Sequence, residues 1–100
     1  MLPTIVDILG KTYVVQSVVR EEGDYGETWA DECRIEIWAK PCEMQQRDTL
    51  LHEVLHGIDH ELNCKLSEAQ IRRMATGLLQ VLRHNPEFVA FLTDGAAAHS

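Results

Sequence analysis

One hundred residues with 45% apolar content support one compact domain and leave no room for a second core. The formal net charge of −7 argues against a general phosphate-backbone binder, which needs a basic face, so no nucleic-acid partner is expected. No apolar run reaches membrane-spanning length, and Met1 to Gly10 carries Pro3 and Asp7 with no basic run ahead of its apolar residues. Neither a membrane partner nor a secretory signal is expected.

In chain order, Thr4 to Leu9 and Thr12 to Val19 are β-rich runs on either side of Gly10-Lys11, a pattern that predicts a hairpin. Glu21 to Glu32 is polar, holds Gly23 and Gly26, and reads as a loop. Arg34-Ile35-Glu36-Ile37-Trp38 alternates polar and apolar, as a half-buried strand does. After Lys40-Pro41 a helix is expected from about Cys42 to Asn63. Leu51, Val54, Leu55, Ile58 and Leu62 make its apolar stripe, and Met44 joins one heptad earlier. Asn63-Cys64-Lys65-Leu66 breaks it. Ser67 and Gln70 then have the S-x-x-Q spacing of a capping box, opening a helix with Ile71, Met74, Ala75, Leu78 and Leu82 on one face. Asn85-Pro86 ends that helix and starts a short last one, 87–92; the domain is expected over 1–94, with 95–100 a disordered tail. This order predicts an α+β fold: a small antiparallel or mixed sheet, hairpin plus one strand, packed against two main helices and a short third. Cys33, Cys42 and Cys64 are odd in number and contain no C-x-x-C pair, which suits reduced thiols in a cytoplasmic protein.

The second half of the first helix reads His52-Glu53-Val54-Leu55-His56. Histidines four apart stand one turn apart on one helical face, where both reach a single metal ion, and Glu53 is displaced by about 100° from His52. This H-E-x-x-H spacing is the pattern of zinc metalloproteases, in which the glutamate is general base. Composition alone produces the string in roughly 2% of shuffled chains of this make-up. With Leu51 as zero, His52 and His56 fall near 100° and 140°, beside the apolar stripe rather than within it or opposite it. A half-covered position is what a catalytic metal requires; the competing reading is two ordinary histidines without a metal.

A catalytic zinc takes three protein ligands and a water. His60 is excluded as the third, because it lies about 12 Å along the axis from His52. Glu68 is the favoured third ligand: it opens the next helix, about 60° from Ile71 on the inward flank, where an unpaired carboxylate is costly to bury. Glu61, Asp59 and Glu43 remain alternatives, and Glu68 can also be read as a first-turn acid favoured by the helix dipole. Asp59, on the same flank as the histidines, is a candidate to accept a hydrogen bond from a ligand imidazole and fix its tautomer. Tyr25, Arg72 and His84 are candidates to stabilise a developing oxyanion. Trp29 and Trp38 read as core or cleft-wall residues.

Thr49-Leu50-Leu51-His52-Glu53-Val54-Leu55-His56, followed by Leu66-Ser67-Glu68 opening a helix that holds Ala75, resembles the zincin-type metallopeptidases. The similarity is to the small gluzincin-like proteins of phages and mobile elements. The run through His60 is also similar to the repressor-cleaving ImmA/IrrE-type peptidases. The resemblance covers mainly residues 35 to 85. It implies Zn²⁺ held by His52, His56 and Glu68, Glu53 as general base, and a peptide or protein substrate lying along strand 34–38 as an added strand. The chain departs from larger members in its short interval from His56 to Glu68. The expected function is a minimal zinc-dependent metallopeptidase. The alternatives are a catalytically inactive zinc-binding interaction protein on the same scaffold and a helical adaptor without metal.

Overall fold

The computed structural model describes residues 1–98, with backbone alone for 95–98. Four strands make one mixed sheet in the order β1-β2-β4-β3: β1 (Ile5–Ile8), β2 (Lys11–Val18), β3 (Gly26–Trp29) and β4 (Arg34–Trp38). β1 and β2 pair antiparallel with Ile8 opposite Lys11, so the connecting residues are Leu9-Gly10 rather than the expected Gly10-Lys11. Both have positive φ, 51° and 87°, as a type I′ turn demands; its twist matches that of the flanking strands. The Gly10 N–H donates to Asp7 Oδ1 at 3.0 Å. β2 and β4 run parallel with Val15 opposite Ile35, and β4 pairs antiparallel with β3.

β3 lies inside the span expected to be a loop. Its sequence, Gly-Glu-Thr-Trp, begins with two residues of low β propensity and shows no alternation, so pairing with β4 makes the strand. The expectation that strand 34–38 offers an edge to a peptide is therefore corrected: β2 and β3 occupy both of its sides. The free edges of the sheet belong to β1 and β3.

Ile8, Tyr13, Val15, Ile35 and Ile37 are buried on one face of the sheet. The opposite face shows Thr12, Val14 and Gln16 to solvent and holds Glu36 between Arg20, at 3.1 Å, and Arg34. A sheet covered on one side only leaves this period of two. Helix α1 (Glu43–Leu62) covers the apolar face with Leu50, Val54 and Ile58, while Leu51, Leu55 and Ile58 pack against Ile71 and Ala75 of α2 (Glu68–His84). α1 is thus the middle of three layers and needs two apolar flanks instead of one stripe. Met44 and Leu62, expected in that stripe, are exposed. At Gly57 an added Cβ would lie 2.7 Å from Ile8 Cδ1, so helix and sheet approach closely one residue after His56.

The reversal after α1 is tightly tied. Asn63 and Lys65 take left-handed backbones, the Cys64 N–H donates to the Asp59 carbonyl at 3.1 Å, and the Leu66 N–H donates to Asp59 Oδ1 at 2.9 Å. The capping box then forms as expected. The Gln70 N–H donates to Ser67 Oγ at 3.1 Å and the Ser67 N–H to Gln70 Oε1 at 2.8 Å. Helix α3 (Pro86–Ala98) packs against α2 and is longer than the expected 87–92. The helix takes in 95–98 of the expected tail, and residues 99 and 100 lie outside those described. Among the described residues no helix is long and apolar enough to cross a membrane. The fold is α+β.

Candidate metal centre

His52 and His56 leave the same face of α1 with their Nε2 atoms 3.1 Å apart. The turn at 63–67 brings the first residue of α2 back over that face. Glu68 Oε1 lies 2.6 Å from His52 Nε2, and Oε2 lies 2.9 Å from His56 Nε2. The three side chains each offer a ligand atom, all within 4.8 Å of one another. Donors bound tetrahedrally at about 2.0–2.1 Å from one zinc stand roughly 3.3 Å apart, so this grouping is close to the spacing a metal imposes. Two histidines and a carboxylate, with a position left for water, also form a donor set that zinc enzymes use. The histidine side chains are 15% and 29% exposed and Glu68 is 55% exposed, giving a site covered from the core side and open on the other.

Glu53 reaches Thr28 of β3 and is buried, although it lies about 200° from Leu51, off the apolar stripe. The Thr28 hydroxyl donates to Glu53 Oε1 at 2.6 Å and sits 3.1 Å from the Glu53 carbonyl oxygen. Burial pushes the Glu53 carboxyl above its ordinary range; the Thr28 hydrogen bond and nearby His56 pull it back. The net shift is upward. Gly26 permits the approach. A Cβ there would fall 2.6 Å from Thr49 Cγ2 and 3.1 Å from Glu53 Cγ, so any larger residue would push β3 off the helix. Neither Gly26 nor Thr28 stands out in the sequence, whose one trace of a strand is the β-favouring pair Thr28-Trp29.

The other candidates sit elsewhere. Glu61 is held by Lys11 at 3.0 Å and by the Tyr13 hydroxyl at 3.1 Å; Lys11, burial and Tyr13 act on its carboxyl with a net lowering of its pKa. Glu43 pairs with Arg47 on the first turn of α1. Asp59 accepts the Leu66 N–H on Oδ1 and so braces the turn, while it lines the same cleft as His52 and His56. His60 faces Asp31 at 3.8 Å, away from the ligand set. His84 lies against the Gln80 carbonyl at 2.9 Å, one turn back on its own helix, and lines a separate groove between α1 and α2. The three cysteines are free thiols.

A cleft of about 1200 Å³ runs between β3 and the α1–α2 pair, lined among others by Tyr25, Glu27, Thr28, His52, His56 and Arg72. Tyr25 stacks on Trp38 with ring centroids 5.7 Å apart, and Arg34 lies 3.9 Å over the Trp29 ring; neither tryptophan lines the cleft, so they are not the wall residues expected. Tyr25 and Arg72 thus border the same cleft as the ligand set, and His84 does not. Comparison with protein-family models, with curated proteins and with solved structures returns no match.

Proposed function

We propose that the chain is a minimal zinc-dependent peptidase of the zincin type. The observation that carries this reading is the convergence of His52, His56 and Glu68 within 4.8 Å, one helical step from a buried carboxylate on Glu53. His52, His56 and Glu68 would hold the ion. When bound, zinc acidifies a water and polarises the scissile carbonyl.

The chain's own groups do the rest. Thr28 occupies Glu53 Oε1 and leaves Oε2 to take the proton of the attacking water. The same carboxyl then delivers that proton to the departing amine. Tyr25 and Arg72 border the cleft and are the donors available to a developing oxyanion. The substrate lies along β3, whose outer edge is unpaired and whose residues Gly26 to Thr28 line the cleft, in the added-strand mode first expected at 34–38. Three free thiols suit a reducing cytoplasm, here that of the cell in which the chain is made.

Replacing Glu53 with Gln tests the reading. The variant should keep zinc at unchanged stoichiometry and lose about 10²–10⁴-fold in kcat on a peptide library. Undiminished cleavage by that variant overturns it. Bound zinc with no chelator-sensitive cleavage by the native chain leaves the other reading, a zinc-bearing interaction protein.

A further inference from the structure

α3 carries Phe88, Phe91 and Leu92 at the i, i+3, i+4 spacing that places them on one helical face, and all three are exposed, Phe91 at 82%. On α2, Met74, Leu78 and Val81 follow i, i+4, i+7 and are exposed as well. Both stripes are open in the folded chain.

Charge selects the occupant. All the net negative charge lies on residues 1–67; in the remainder Arg72, Arg73 and Arg83 balance Glu68, Glu87 and Asp94. The α2–α3 unit is therefore where two copies of this acidic chain can meet without net repulsion. Within it the signs are split: α2 holds the three arginines against Glu68, and α3 holds Glu87 and Asp94 with no basic residue. A surface with one basic and one acidic helix, both with exposed apolar stripes, is complementary to itself under a two-fold rotation.

We propose that this face is a homodimer interface in which α3 of each copy lies along α2 of the other. Phe88, Phe91 and Leu92 cover the stripe of Met74, Leu78 and Val81, and Glu87 and Asp94 face the α2 arginines. The pairing does not rest on the metal centre.

Sedimentation and light scattering of the full chain across a dilution series test it. The native chain should reach twice 11.4 kDa and dissociate on dilution. Phe91→Glu should halve the mass with an unchanged far-UV spectrum, because the ring is exposed in the single chain. A chain with Arg73→Glu and Arg83→Glu, and another with Glu87→Lys and Asp94→Lys, should each be monomeric alone and pair when mixed, since the reversals complement one another. A monomeric native chain, a dimer indifferent to Phe91→Glu, or a mixture that stays monomeric overturns the proposal. A monomer whose α3 has folded back onto its own α2 is one such outcome.

Discussion

Thr28 fixes the orientation of Glu53 without touching the three ligand side chains. Removing its hydroxyl should therefore separate metal binding from turnover. Thr28→Val should keep zinc affinity and KM and lower kcat about tenfold, the weight of one hydrogen bond to a charged group, while Thr28→Ser restores it. Steady-state kinetics with zinc titration check this. Tyr13 gives a second expectation. Burial first, then the hydrogen bond to Glu61, pushes its hydroxyl up to about 12 from 10.0. The folded chain thus keeps a proton that the unfolded chain releases, so this contribution is intact below about pH 10 and fades as pH rises toward 12. Urea unfolding should show a loss of about 2 kcal/mol across that window. Tyr13→Phe should start less stable, by about 1 kcal/mol, and lack this tyrosine-linked slope.

At the level of elements, the reversal between α1 and α2 decides whether there is a metal centre. His52 and His56 come from one helix and need no tertiary help to face the same way. Glu68 reaches them because Asn63 and Lys65 turn left-handed and Asp59 holds the Leu66 N–H. Asp59→Ala should leave the helix content unchanged yet weaken zinc binding roughly fivefold, since about 1 kcal/mol of turn fixation is lost. Competition titration against a chromophoric chelator measures it. β3 is the matching case on the other side of α1, a four-residue strand held by β4 that places Thr28 and Gly26 against Glu53.

For the whole molecule, His52, His56 and Glu68 join α1 to α2, so a metal held there would tie two layers together. Zinc at 100 times its dissociation constant should add about 2.7 kcal/mol to the folded state. For a domain of this size that raises the Tm by roughly 10 °C or more, and a chelator should reverse it. Glu68→Ala should lose most of this response in a thermal melt. The layer order also explains the weak amphipathic pattern of α1. A helix with a sheet on one side and a second helix on the other shows two apolar flanks, with His52 and His56 beside the flank that meets α2.

The sequence by itself determined what depends on local spacing. The i, i+4 histidines, the capping box at Ser67 and Gln70, the alternation of 34–38 and the breaks at 63–66 and 85–86 are each properties of a few adjacent residues, and all were legible. Glu68 was legible as a candidate because a short turn must fold one helix back on another. What only the tertiary structure decided involves pairing between distant segments. β3 exists through its ladder with β4; its presence moves the free sheet edge from 34–38 to Gly26–Trp29 and buries Glu53 under Thr28. The single stripe assigned to α1 failed at Met44 and Leu62 for the same reason, since a pattern of periodicity cannot say how many layers a helix will touch.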